Sequence, residues 1–255
     1  MNSKTTIQWT DRTWNPLTGC TRVTEGCNAC YAFTLHDRRH EAYIKHGGVY
    51  PKTGKPMPKQ YAQSFSVVQL LPERLEDPLR IKTPQRFFVD SMSDLFHSAV
   101  PDDYIQQVFE VMRRADWHIF QVLTKRVGRL RRLGQQLTWP PNVWMGVSIE
   151  TDRLTPRADA LREVPAAVRF LSLEPLLGPL PSLRLDRLHW VIVGGESGPD
   201  ARPMEEAWAV DLRDRCVTAG IPYFFKQWGG RTPKAGGRLL QGREWNEMPL
   251  EMRRK

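Results

Sequence analysis

From residue 86 onward, apolar and polar positions follow a repeating order: a short apolar run, a polar step, then an amphipathic stretch. The run 86–91 (RFFVDS) precedes a helical pattern over 102–114, and 117–124 (WHIFQVLT) precedes a basic helical pattern that ends at Leu133. The run 143–149 (VWMGVSI) precedes a helical pattern near 157–162, and 168–173 (VRFLSL) follows. Then 189–193 (HWVIV) leads into Gly194-Gly195-Glu196-Ser197-Gly198 and a helical pattern over 205–219, and 222–226 (PYFFK) closes the series. Apolar runs of about five to eight residues alternating with helical patterns indicate parallel strands covered by helices. Upstream, 9–18 reads as an entry strand, 31–46 as a helix stopped by Gly47-Gly48, and 47–65 as an exposed insert rich in Pro, Lys and Gly. A further helix is expected over 70–81. With the entry strand the count is about seven, one short of a full eight-stranded barrel. The expected fold is α/β, a partial (βα)6–7 TIM-like barrel in one domain over 1–255, ending in a basic tail over 230–255.

Composition narrows the function classes. A chain of 255 residues with 40% hydrophobic and 10% aromatic content can build a sizeable core. No apolar stretch approaches the ~20 residues of a membrane span, and the first residues lack the apolar run of a signal peptide. With only four cysteines, a soluble chain in a reducing cytoplasm is expected, as a monomer and without a membrane partner. The formal charge of +9 favours a polyanionic partner, nucleic acid first. Cations gather at Lys125, Arg126, Arg129, Arg131 and Arg132, at Arg231, Lys234, Arg238 and Arg243, and at 253–255. Nine tryptophans offer surfaces on which exposed bases can stack.

The densest chemistry lies in 19–31 (GCTRVTEGCNACY). Cys20, Cys27 and Cys30 stand there as C-x6-C-x2-C, and the fourth cysteine, Cys216, is remote. Three thiolates from one loop can hold three irons of a [4Fe–4S] cluster, and with no fourth ligand nearby one iron stays open. A Cys3His zinc site completed by His36 or His40, on the helix that follows, is the competing reading, and unligated thiols are the third.

Active sites of such barrels form at the C-terminal ends of the strands. Those ends carry a polar ring: Ser91, Ser93 and Asp94; Thr124, Lys125 and Arg126; Ser148 and Glu150; Glu174; Glu196 and Ser197; then Lys226, Gln227 and Trp228. Acids and hydroxyls suit the amino and ribose groups of S-adenosylmethionine (SAM), and Lys or Arg suits its carboxylate. The Gly194-Gly195 pair would let backbone approach a ligand closely. Singly, each polar residue is more often a cap or a loop hydrogen bond; their recurrence at successive strand ends points to a site.

The segments SMSDLFH, VLTKR, GVSIE, LSLEPLLGPL, VIVGGESGP and FFKQWGG, with GCTRVTEGCNACYA, resemble a phage- and bacterium-associated three-cysteine-motif family in the radical SAM superfamily. The resemblance covers roughly residues 7–230 and extends to the spore photoproduct lyase group, which reverses a methylene-bridged thymine dimer in DNA. The usual radical SAM spacing is C-x3-C-x2-C, so the first gap here is longer. The resemblance implies a partial barrel of the radical SAM type in which Cys20, Cys27 and Cys30 hold a [4Fe–4S] cluster with SAM on the open iron. One-electron reduction by an electron donor would give a 5′-deoxyadenosyl radical that abstracts hydrogen from the substrate. SAM contacts are expected from Ser91, Ser93, Asp94, Lys125, Ser148, Glu150, Glu174, Gly194, Gly195 and Glu196. On the lyase reading Cys216, or second Tyr223, would quench the product radical, although Cys216 shares the core stripe of a helix with Leu212 and Ala219. Arg126, Arg129, Arg131, Arg231 and Lys226 would contact phosphates, and Trp228, Trp144 or Trp245 would stack on a flipped base. The alternatives are a radical SAM enzyme modifying RNA or a phage nucleobase, and a non-catalytic zinc-stabilised nucleic-acid-binding protein.

Overall fold

The computed structural model describes residues 5–250. The entry segment forms β1 (Arg12–Trp14) and the two-residue β2 (Leu17–Thr18), which pairs antiparallel with β3 (Gln69–Leu70). The apolar runs become β4 (Arg86–Val89), β5 (Ile119–Thr124), β6 (Val143–Ser148), β7 (Val168–Leu173), β8 (Trp190–Gly194) and β9 (Tyr223–Gln227). Together with β1 they make a seven-stranded sheet in the order β1-β4-β5-β6-β7-β8-β9. Every neighbouring pair is parallel. The sheet curls into a half-barrel. Five α-helices are found among the described residues: α1 (Tyr31–Lys45), α2 (Asp102–Arg114), α3 (Val127–Gly134), α4 (Pro156–Arg162) and α5 (Glu206–Ala219). None is long and apolar enough to cross a membrane.

Strand periodicity of two sorts the core into two layers. Phe87, Val89, Phe120, Val122, Met145, Val147, Leu171, Val191, Tyr223 and Phe225 pack outward with Ile105, Val108, Leu130, Leu161 and Leu212 of the helices. The alternate residues Phe88, Trp144, Phe170, Trp190, Ile192 and Phe224 join Trp9 in a second cluster on the concave side. Trp190 is its hub, with ring centroids of Phe170, Trp144 and Phe224 at 5.6, 6.0 and 6.2 Å. These bulky residues fill the concave side toward the strands' N-terminal ends. Toward the C-terminal ends the same lanes carry Ser148, its register partner Ser172, Gly194 and Lys226. Sequence therefore builds a packed floor and a polar mouth.

Two segments differ from expectation. No α-helix forms over 70–81; β3 is followed by single turns of 3-10 helix at Pro72–Arg74 and Pro78–Arg80. Pro78 has no amide to donate, and tertiary donors take the carbonyls. Trp14 Nε1 donates to Arg74 O at 2.8 Å and Trp117 Nε1 to Ile81 O at 2.8 Å, while His118 Nε2 lies 3.1 Å from Pro78 O. The expected tail is packed over much of its length. Phe225 N donates to Trp245 O at 2.9 Å and Glu247 N to Tyr223 O at 3.2 Å, so this segment runs antiparallel along β9 and covers the sheet edge. Arg253, Arg254 and Lys255 lie outside the described residues.

Candidate active site at the mouth of the half-barrel

The cysteine loop crosses the C-terminal mouth and is tied to three strand ends. Its entry is held by Gly19 N donating to Met92 O at 3.1 Å and Cys20 N to Phe65 O at 2.8 Å. Beyond β6, the fully buried Glu150 accepts the Thr24 hydroxyl at 2.9 Å and the Lys125 ammonium on the same oxygen. Its other oxygen accepts Arg157 Nη1 at 3.1 Å. Gly26 lies directly on this carboxylate, where a Cβ would come 2.6 Å from Glu150 Cγ. Beyond β5, Arg126 Nη2 donates to Thr21 O at 2.9 Å and lies 3.6 Å from Cys20 Sγ. Beyond β8, Glu196 accepts Arg202 Nε at 2.8 Å and Nη2 at 2.6 Å, and Nη2 also donates to Glu25 O at 3.1 Å. The loop is clamped by buried or half-buried charge.

That clamp divides the thiols. Burial pushes the Cys20 thiol up to about 11, with Asp94 adding to it and Arg126 opposing. Burial also acts on Cys27, but Lys125 and hydrogen bonds donated to the sulfur by the Val23 and Thr24 backbone outweigh it and hold that thiol below its ordinary value. Cys20 and Cys30 pack against Ala32, Phe33 and Phe65. Among the described residues, no group of three or more His, Cys, Asp or Glu side chains stands close enough to hold a metal ion. In donor type alone the three thiols suit an iron–sulfur centre, but they are not gathered into one site; Lys125 acts on Cys27 and Arg126 lies beside Cys20. The histidines of the zinc reading are engaged elsewhere. His36 Nε2 lies 3.0 Å from Gln63 O, and His40 Nδ1 lies 2.8 Å from Tyr61 O.

The other strand-end residues divide into mouth and scaffold. Lys226 donates to Glu174 Oε1 at 2.7 Å across the concave face. Ser91 exchanges hydrogen bonds with Asn15 and accepts the Tyr31 hydroxyl on its carbonyl at 2.6 Å. Ser93 Oγ donates to Leu17 O at 3.3 Å. Asp94 accepts Thr124 Oγ1 at 2.7 Å, Phe96 N at 3.0 Å and Lys125 N at 3.1 Å, which makes it an organiser of the β4 and β5 loops. Where sequence suggested room for a ligand at Gly194-Gly195, the chain packs on itself. A Cβ would come 2.8 Å from Glu174 Oε1 at Gly194 and 1.9 Å from Trp228 O at Gly195.

Cys216 and Tyr223 are fully buried in the layer between the sheet and the helices, not on the concave face. The Tyr223 hydroxyl donates to Ala209 O at 3.0 Å, and burial pushes the Cys216 thiol up to about 12. The arginines of α3 are also committed. Arg129 donates to His97 O, Val100 O and Asp102, Arg131 pairs with Glu163 at 2.7 Å, and Arg132 pairs with Asp102 at 2.9 Å. An open hollow of about 430 Å³ beside them is lined by Val23, Phe96, Lys125, Arg126 and Arg157. Trp228 donates to Leu239 O at 2.8 Å, and Trp144 and Trp245 are buried. Arg231 is exposed on the loop after β9.

Sequence reasoning missed Thr24, Arg157 and Arg202, which tie loop to strand ends, and nothing local marked them. It also passed over Asp90, which sits buried at a left-handed φ of 61° and whose carboxyl burial pushes well above the usual range. No curated protein and no solved structure gives a match to this chain. One family model does, over residues 4–249, and the chain therefore belongs to the family described as "Protein of unknown function (DUF5131)".

Proposed function

We propose that this chain is a radical SAM enzyme acting on nucleic acid, most specifically a DNA photoproduct lyase of the spore photoproduct type. The observation that carries the reading is the C-x6-C-x2-C loop clamped over the polar mouth of a parallel half-barrel by Glu150, Arg126 and Arg202. Cys20, Cys27 and Cys30 would hold a [4Fe–4S] cluster. When bound, the cluster and SAM supply a carbon-centred radical able to abstract hydrogen.

The chain's own residues position and enclose. Glu174 and Lys226, paired at 2.7 Å on the concave face, present one acid and one cation to the zwitterionic end of an amino-acid ligand. Ser148 and Ser172, side by side in register, offer hydroxyls to a ribose. The aromatic floor around Trp190 closes the barrel below and excludes water from the reacting atoms. Glu150 and Arg157 hold the loop at one height above the floor, which fixes the distance between sulfur ligands and mouth. The zinc-module alternative is less well supported, because both candidate histidines bond to backbone carbonyls of the insert.

The test is anaerobic reconstitution with iron and sulfide, reduction by dithionite with SAM present, and assay of 5′-deoxyadenosine with DNA bearing the thymine crosslink. Release that restores thymine and is lost in Cys27→Ala supports the lyase. Release without repair keeps the enzyme class and moves the substrate to RNA or another nucleobase. No iron uptake and no release refutes the radical reading.

A further inference from the structure

We propose that nucleic acid is gripped by a track of unpaired cations running from the cysteine loop along α1 into the insert 47–65, and not by the arginines of α3. The proposal rests on the nucleic-acid half of the reading above and is independent of any cluster.

Helix α1 starts directly after Cys30 and spans 15 residues, about 22 Å at 1.5 Å per residue. Residues three and four apart share a helix face, so Tyr31, Thr34, Arg38, Glu41 and Lys45 form one exposed stripe leading away from the mouth. Past the helix, the chain turns through an exposed loop that carries Lys52, Lys55 and Lys59. Between Glu41 and Glu73 there are four lysines and no acid. None of Arg38, Lys45, Lys52, Lys55 and Lys59 makes a side-chain hydrogen bond or ion pair among the described residues. Arg129, Arg131 and Arg132 each have an acidic partner. Glu41 offsets part of the charge on the α1 stripe, and the unopposed charge lies at Lys52, Lys55 and Lys59, where like charges without counter-charge repel one another and attract a polyanion.

The platform under these cations is ordered. Tyr50 N donates to Lys55 O and Gly54 N to Tyr50 O, both at 2.9 Å, and Met57 N donates to Gly48 O at 2.8 Å. Met57, Tyr61 and Phe65 are buried beneath, and the Phe65 ring meets Phe33 of α1 edge-on at 4.6 Å. Binding therefore orders side chains only, which lowers its entropic cost. A strand engaged at the mouth and laid along α1 would cover its 22 Å length with about six or seven phosphates at ~3.4 Å spacing. The exposed Ile44 and Val49 beside these lysines would suit an anionic bilayer instead, and that is the competing occupant. The linear layout ending at the mouth favours a nucleic-acid strand.

The test measures binding of labelled single-stranded and duplex oligonucleotides by fluorescence anisotropy over a range of salt. The proteins are wild type, Lys52→Gln/Lys55→Gln/Lys59→Gln, the matching triple Lys→Arg variant, and Arg131→Gln. Each lost phosphate contact removes about 0.7 to 0.9 from the slope of log K against log salt. The triple Gln variant is expected to lose about 2 to 3 from that slope and at least about tenfold in affinity at low salt. The triple Arg variant and Arg131→Gln should bind as wild type does. Wild-type binding left unchanged by the triple Gln variant overturns the track and leaves the nucleic-acid reading standing. Absence of oligonucleotide binding, with lysine-dependent sedimentation on phosphatidylserine vesicles, overturns both.

Discussion

Replacing Glu150 with glutamine keeps the shape and removes one charge from the point where the cysteine loop meets β6. Glu150 is 0% exposed, and its partners Arg157 and Lys125 are 9% and 21% exposed. With the carboxylate gone, two cations stay largely buried with no counter-charge at that point, and Thr24 keeps only a neutral acceptor. Removing one partner of a buried ion pair costs about 3–5 kcal/mol. For a chain of this size about 3 kcal/mol lowers Tm by roughly 6–12 °C. Thermal unfolding followed by tryptophan fluorescence reads that loss. Labelling of Cys20 and Cys30 by a thiol reagent reads the loop directly and should accelerate, because the Thr24 anchor weakens. Adding Lys125→Met removes one of the stranded charges, so the double variant should recover part of the stability. A Tm within about 2 °C of wild type, with unchanged thiol labelling, would refute the idea that Glu150 clamps the loop.

Three further outcomes follow from the same contacts. Gly195→Ala would drive a Cβ to 1.9 Å from the Trp228 carbonyl; a backbone atom cannot step aside, so a loss of about 3 kcal/mol or more is expected, and an unchanged Tm would contradict this packing. Tyr223→Phe removes the hydroxyl bond to Ala209 O, a carbonyl that stays in the hydrogen-bond ladder of α5, and should cost about 0.5–1.5 kcal/mol with no effect on 5′-deoxyadenosine release or product formation; lost product at full stability would restore Tyr223 as a hydrogen donor. The hydrogen bonds from Arg202 hold the Glu196 carboxyl below the usual range, against the opposing effect of burial. The unfolded chain, with a glutamate near ~4.3, therefore binds the proton more readily. Glu196 stabilises the fold above that pH, and the contribution disappears as pH falls through the lowered folded value. Glu196→Gln should flatten the acid limb of a stability-against-pH curve below about pH 5, and an identical limb would rule the pair out as its source.

Much of the fold was legible because each strand is a compact apolar run bounded by polar residues, and a parallel sheet buried on both faces leaves that mark. The segment 70–81 misled because Leu71, Leu75 and Leu79 recur at helical spacing, yet Pro78 cannot donate and tryptophan indoles claim the carbonyls of Arg74 and Ile81. At the mouth, the polar ring was visible as single residues, but what each one touches was not. Lys125 and Glu150 lie far apart in sequence and meet only because β5 and β6 are neighbours. Gly194-Gly195 looked like room for a ligand and proved to be room for Glu174 and Trp228. The α3 arginines looked free because Asp102 and Glu163, which neutralise them, sit on other elements. The lysines of 47–65 read only as part of an exposed insert, and their lack of acidic partners became informative beside those saturated arginines.

The most direct measurement of the central claim is the iron and sulfide content of the anaerobically reconstituted protein, with its absorption near ~400 nm and its electron paramagnetic resonance spectrum after reduction, recorded with and without SAM. About four irons and four sulfides per chain, a spectrum that changes when SAM is added, and loss of the cluster in Cys20→Ala, Cys27→Ala and Cys30→Ala are the predicted results. Stoichiometric zinc without iron, or a cluster that survives any one of those substitutions unchanged, would contradict the account.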